Sequence, residues 1–172
     1  MYLINNNLSV ILFLMSGFLF SCRTTPHSHA ESPKSLAFSA DEIVFEYHDA
    51  SVPPDDHRSY RIKIHEDKLY YVVDSYGEII KEDSISIEKN KWNNIQSAFL
   101  TCDIRNVEKR KNSEGCTGGS GNSIYLYDNQ EKLFAGYQYR CSTFFDGDLD
   151  GDLNCFLMTI KQDIASDFFR TD

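Results

Sequence analysis

Between residues 41 and 100 the apolar positions change period once, and that change lays out the first half of the fold. Ile43-Val44-Phe45-Glu46-Tyr47 is a β-branched and aromatic run of the kind that forms a strand. Val52-Pro53-Pro54-Asp55-Asp56 interrupts it, because proline cannot donate to a ladder. Tyr60-Arg61-Ile62-Lys63-Ile64-His65 alternates, sending Tyr60, Ile62 and Ile64 to a core and the three basic side chains to water. Short turns at Glu66-Asp67 and at residues 75–78, where Gly77 is free to take positive φ, lead to strands over 69–74 and 79–87. The period then becomes helical. Trp92, Ile95, Phe99 and Leu100 predict an amphipathic helix over 88–101.

The second half reads as a long polar loop, a hairpin and a second helix. The loop holds Lys109-Arg110-Lys111 and the glycine-rich stretch from Cys116 to Asn122. Residues 123–127 and 133–139 pair as a hairpin around Asp128-Asn129. Leu153, Phe156, Leu157, Ile160, Ile164 and Phe168 form one helical stripe, with Asp150 or Asp152 as N-cap. The expected fold is α+β: an antiparallel sheet, built from a meander plus a hairpin, with two amphipathic helices packed on one face. A chain of 172 residues accommodates one such domain, assigned to residues 41–172.

Charge narrows the partners. Lys and Arg total 17 against 26 Asp and Glu, a formal charge of −9, so no nucleic-acid partner is expected. Residues 8–20 are uncharged and mostly apolar. Such a run is too short for a permanent bilayer span, which needs ~18 residues, and has the length of a signal-peptide core. It ends in Leu19-Phe20-Ser21-Cys22, which resembles the lipobox of bacterial lipoproteins. That resemblance implies a signal peptide over 1–21, acylation (palmitate among the chains) of Cys22, and attachment to a bacterial membrane in the cell envelope. Residues 22–40, polar and without periodicity, read as a flexible tether. His27 and His29 within it read as solvated rather than metal-bound.

Four further motifs carry a resemblance of their own: Ser51-Val52-Pro53-Pro54, His57-Arg58-Ser59-Tyr60, Val73-Asp74-Ser75-Tyr76-Gly77 and Gly115-Cys116-Thr117-Gly118-Gly119. Together they are similar to a family of uncharacterised bacterial exported proteins, many of them predicted lipoproteins. The likeness spans residues 44–168 and implies export and one folded domain, with no assigned activity.

Candidate chemistry is sparse. Asp146, Asp148, Asp150, Gly151 and Asp152 resemble the first part of a calcium loop, with alternate carboxylates that suit a hard cation, but Leu157 stands where a bidentate Glu should close the shell. The bland alternative is an acidic helix start favoured by the helix dipole. Residues 118–122 read as a tight turn rather than a phosphate cradle, since no Gly-Lys-Ser/Thr ending follows. His48, Asp55, Asp56 and His57 are the candidates for hydrolytic acid–base work, and no Gly-x-Ser-x-Gly occurs. The leading reading is a non-enzymatic binding or envelope-structural domain with a possible protein partner. A periplasmic inhibitor or immunity protein, or an envelope hydrolase, is the alternative.

Cys102, Cys116, Cys141 and Cys155 remain after Cys22, and an even count in an exported chain implies two bridges. Residues facing each other across the hairpin have numbers summing to about 259, which places Cys116 beside Cys141. Cys102 ends the first helix and Cys155 opens the second, so those two pair if the helix ends meet. The sequential pairing, Cys102 with Cys116 and Cys141 with Cys155, is the other arrangement left open.

Overall fold

Among the described residues, eight strands and two helices form from this pattern. The computed structural model describes residues 40–111, 116, 118–162 and 164. The expected leader, Cys22, His27, His29 and nearly all of the tether lie outside the described residues, which all belong to one compact unit, Ala37–Asp172. β1 (Glu42–His48), β2 (Ser59–Ile64), β3 (Lys68–Ser75) and β4 (Glu78–Ser86) form the predicted meander, each strand antiparallel to the next. The β3–β4 hairpin closes on two residues, Tyr76 and Gly77, both with positive φ at 51° and 90°. Two positive φ values in a two-residue loop twist the hairpin in the same right-handed sense as its strands.

α1 (Lys89–Thr101) follows and buries Trp92, Ile95, Ala98 and Phe99. It ends in a left-handed cap: Asp103 has φ 55°, Asp103 N–H donates to the Leu100 carbonyl and Ile104 N–H to that of Phe99, both at 3.0 Å. This double bond pattern satisfies carbonyls the helix end would leave bare. β5 (Arg105–Lys111) leads to β6 (Ser120–Asp128), β7 (Glu131–Cys141) and β8 (Phe144–Asp150), and α2 (Leu153–Lys161) closes the described chain. Asp152 caps α2, its carboxylate accepting the Cys155 N–H at 2.8 Å.

The fold class is the one expected, an α+β domain with a fully antiparallel sheet, in the order β4-β3-β2-β1-β6-β7-β8-β5. Two strands were not legible. β5 lies in the stretch expected as loop, and β8 occupies the segment read as a calcium loop. Lys, Gly, Asn and Asp are depleted in strands, so local composition argues against both. They form where their charges pair across the ladder, Arg105 with Asp150 and Lys109 with Asp146.

Ile43, Phe45, Ile62, Ile64, Leu69, Tyr71, Val73, Ile124, Leu126 and Leu149 cover the inner face and pack with both helices in one core. Phe99 ties the layers, meeting Phe134 of β7 at 5.0 Å and Phe156 of α2 at 6.0 Å. Among the described residues, no helix is long and apolar enough to cross a membrane.

Two disulfides pin the layers. Cys102 at the end of α1 bonds Cys155 in the first turn of α2, with Cα atoms 5.8 Å apart. Cys116 bonds Cys141 at the end of β7, Cα to Cα 6.1 Å. The hairpin register sums to 259 at Tyr127↔Lys132, then shifts by one beyond it, which brings Cys141 level with the Cys116 loop. At the first bridge the Asp152 N–H also donates to the Cys102 carbonyl at 2.8 Å. Gly151 lets these chains meet: its φ is 119°, and a Cβ there would fall 2.4 Å from the Asp103 carbonyl oxygen. Gly151→Ala is therefore expected to cost about 2–4 kcal/mol in urea unfolding. Gly77→Ala, with open space around it, should cost about 1 kcal/mol from its φ alone. Equal losses would show that the contact at Gly151 contributes nothing.

Candidate functional site

Both described helices take the inner face, which leaves the outer face of the sheet uncovered by any described element. Alternation puts Glu42, Val44 and Glu46 of β1, Arg61 and Lys63 of β2, Tyr125 and Tyr127 of β6, and Tyr137 and Tyr139 of β7 on that side. Val44 is only 6% exposed despite facing outward, since Lys63 and Tyr125 flank it on neighbouring strands. Glu46 receives the Arg61 Nε–H at 2.6 Å, and Glu42 lies 3.2 Å from Lys63 and 3.1 Å from His65. A shallow hollow of about 350 Å³ runs over Val44 between Arg61, Lys63, Tyr125, Tyr127 and Lys132. A second, of about 360 Å³, continues past Glu46 to His48, Val72, Asp74 and Ile79. Lys132 lies over the Tyr125 ring at 5.3 Å, Lys109 over Tyr137 at 5.2 Å and Lys68 over Tyr70 at 4.7 Å. Tyrosines capped by cations present apolar area and hydrogen-bonding tips together, the composition found where proteins meet partners.

The acidic segment stands at one margin of this face. Asp146, Asp148 and Asp150 alternate along β8 as an extended row rather than curling into a loop. Alternate strand positions lie roughly 7 Å apart, which spreads the three carboxylates instead of gathering them around one cation. Each is engaged. Asp146 accepts the Tyr137 hydroxyl at 3.1 Å and lies 3.8 Å from Lys109; Asp148 accepts the Tyr137 N–H at 2.9 Å; Asp150 holds Arg105 at 2.9 Å and Arg110 at 3.6 Å. The Tyr137 hydroxyl, and after it Asp146, push the Lys109 amine above its ordinary value. Asp152 serves as the α2 cap. Among the described residues no group of three His, Cys, Asp or Glu side chains is placed to hold a metal ion. Gly151, the sixth position of the expected loop, is accounted for by its contact with Asp103.

Three of the four family-like motifs meet in one place. The β1–β2 loop folds against the β3–β4 turn: the Tyr76 hydroxyl donates to the Val52 carbonyl at 2.6 Å, and Ser75 Oγ to that of Pro54 at 2.8 Å. Arg58 clamps the loop through the His57 and Asp55 carbonyls at 2.6 and 2.8 Å. Asp49 receives the Arg58 N–H at 2.9 Å, the Ala50 N–H at 2.8 Å and the Tyr47 hydroxyl at 3.1 Å. His57 is buried and stacked on Tyr76 at 4.0 Å. The Tyr76 N–H points at His57 Nδ1 at 3.3 Å, and this bond assigns the imidazole proton to Nε2. Nε2 lies 3.3 Å from Ser59 Oγ, which also accepts the Asp49 N–H. His57 thus donates to Ser59, the reverse of the polarity that a nucleophile and its base require. No hydrogen bond or ion pair joins His48, Asp55, Asp56 and His57 to one another among the described residues. Asp55 and Asp56 are exposed, and His48 stands on the outer face 3.6 Å from Glu46.

Sequence reading missed a polar contact between the layers. Lys161, near the end of α2, donates to the Tyr60 hydroxyl at 3.1 Å and lies over its ring at 4.3 Å. Burial lowers the Lys161 amine from 10.5 to about 8 and raises the Tyr60 hydroxyl above its usual 10.0. No protein-family model, curated protein or solved structure matches the chain.

From pH 8 to 10 the unfolded chain holds a proton on Lys161 that the folded chain has released, so its contribution to stability rises with pH there. The raised Tyr60 hydroxyl acts in the opposite sense only above pH 10. The stability difference between the native chain and Lys161→Met, from urea midpoints, should therefore shift in favour of the native chain between pH 7.5 and pH 9.5. A constant difference would mean that Lys161 stays charged in the fold.

Proposed function

We propose that this chain is a bacterial lipoprotein whose domain acts by binding a protein partner in the cell envelope through the outer face of its sheet. The signal peptide over 1–21 is removed, Cys22 carries the lipid, and residues 22–40 tether the domain to the membrane surface. What carries the reading is the outer face itself: Val44, Tyr125 and Tyr127, interleaved with the Glu46–Arg61 and Glu42–Lys63 pairs and left open by the described elements. Aromatic and arginine side chains dominate the energetics of protein contacts, and paired charges around them fix register. The two disulfides support folding in an oxidising compartment outside the cytoplasm. The polarity of the Ser59–His57 bond and the exposure of Asp55 and Asp56 favour binding over hydrolysis.

Two measurements test the two halves of the proposal separately. In native membranes, a photocrosslinking residue at Tyr125 or Tyr137 should capture one discrete protein, whereas the same residue at exposed Met158 on α2 should not. Equal capture from both faces, or from Met158 alone, sinks the docking face. Cys22→Ala should move the protein from the membrane to the soluble fraction, and retention in the membrane sinks the anchor.

A further inference from the structure

A buried histidine joins the β1–β2 loop to the β3–β4 turn. His57 is only 5% exposed, although it stands on a connection between strands. Its ring lies on that of Tyr76 at 4.0 Å, and its Nδ1 accepts the Tyr76 N–H at 3.3 Å. Nε2 donates to Ser59 Oγ at 3.3 Å, an oxygen that also takes the Asp49 N–H at 3.0 Å. One ring nitrogen accepts and the other donates, which only the neutral imidazole can do.

The turn it holds is strained. Tyr76 has φ 51°, a left-handed conformation that is an outlier for so bulky a side chain. Such a conformation persists only where the contacts around it over-determine it. Three bonds to the β1–β2 loop do so here: the Tyr76 N–H to His57 Nδ1, the Tyr76 hydroxyl to the Val52 carbonyl at 2.6 Å, and Ser75 Oγ to the Pro54 carbonyl at 2.8 Å. Asp74 adds a fourth from within the turn, accepting the Gly77 N–H at 2.9 Å.

A proton on Nδ1 turns that acceptor into a donor facing the Tyr76 N–H. The cation so formed is buried, and burying an unpaired charge is costly. Stacking on Tyr76 offsets part of the cost, since a cation over an aromatic ring is attracted to it, but it supplies no acceptor for the second ring N–H. The surrounding charges are engaged elsewhere. On the loop, Asp49 accepts the Arg58 and Ala50 N–H groups and the hydroxyl of Tyr47, and the Arg58 guanidinium donates to loop carbonyls. Asp55, Asp56 and Glu78 are exposed, and His48 on β1 pairs with Glu46. None of these carboxylates, nor Asp74, forms an ion pair with His57 among the described residues. Ser59 is fixed in the β2 ladder, so the turn is the partner that moves.

We propose that His57 is a proton-operated latch, holding the β3–β4 turn against the β1–β2 loop when neutral and releasing it when protonated. Imidazole is the side chain whose charge ordinarily changes between pH 5 and 8, so mild acidification is the signal the latch reads. Asp74, Gly77 and Ile79 also line the second hollow of the outer face, which the open turn reshapes. That consequence rests on the docking reading, whereas the latch itself does not.

The test follows hydrogen exchange at the Tyr76 amide, together with the His57 ring signal, in the intact isotope-labelled protein between pH 7.5 and pH 5.5. After correction for the intrinsic pH dependence of exchange, protection of the Tyr76 amide should fall by about tenfold over that range, as one proton bound by an ordinary imidazole on opening requires. His57→Asn keeps an acceptor near the place of Nδ1 but cannot take the proton, so its Tyr76 amide should be equally protected at both pH values. Asp74→Asn should keep the native response. The native chain reads the latch without any variant, because the ring signal and the Tyr76 amide should change with one midpoint. The latch is overturned if Tyr76 protection is the same at both pH values, if the ring takes its proton while the turn stays protected, if His57→Asn responds as the native chain does, or if Asp74→Asn abolishes the response.

Discussion

The pairing of β1 with β6 is the contact on which the rest of this domain depends. β1 to β4 can form by local hairpins, and so can β6 to β8, but each set alone leaves bare the edge that the other covers. Seven residue pairs, from Glu42↔Tyr127 to His48↔Gly121, join the halves across some eighty residues of chain. That ladder makes β1 central, with Ile43 and Phe45 fully buried. Closing so long a loop costs entropy before any contact is regained. The helices make the junction worthwhile, because α1 begins after the edge strand β4 and its chain continues into the opposite edge strand β5. A helix routed from one edge to the other lies over both halves and binds them into one core. The Cys102–Cys155 bridge then fixes α1 to α2 at the point where the second half comes to its end.

How much of this was legible depended on whether burial or charge determined the element. Strands β1 to β3 and both helices carry their own periodicity, and each formed within a residue or two of its expected start. The outward or inward direction of Arg61, Ile62, Lys63 and Ile64 followed from alternation alone. β5 and β8 were opaque because their pattern lies between segments rather than within them. A basic run, Lys109-Arg110-Lys111, and an acidic run, Asp146 to Asp150, each look like solvated loop; only together do they predict a ladder. The signal present in the sequence was complementarity of charge at a separation of some forty residues.

The acidic segment shows how one sequence feature can suit two kinds of chemistry. Alternate carboxylates with a glycine suit a calcium loop, and they equally suit a strand whose outward face meets cations. What separates the two is the partner. Asp148 takes over a backbone N–H of β7, Asp146 takes the Tyr137 hydroxyl, and Asp150 takes two guanidinium groups. Surface ion pairs of this kind are individually worth little, about 0–1 kcal/mol. Their effect is on register: a one-residue slip of β5 would turn its basic side chains away from the row.

That logic extends to the edges of the sheet, where a single copy must avoid pairing with another. β5 protects its edge with Arg and Lys side chains and a register irregularity between Asn106 and Arg110. β4 carries its own irregularity, since Val73 pairs with Lys81 and Asp74 with Ile79, leaving Ile80 as the extra residue, and Ile79 and Ile80 are exposed at 58% and 45%. A symmetric antiparallel dimer through β4 must set residues of like parity opposite each other, because its two-fold axis preserves the face on which each side chain lies. Centred on Lys81 or Glu82, it puts a charge directly against its own copy. Like charges directly opposite destabilise a sheet, so these two registers are disfavoured. The β4 edge is thus guarded twice, by the irregularity at Ile80 and by the charges of Lys81 and Glu82, on a strand whose side chains are mostly exposed.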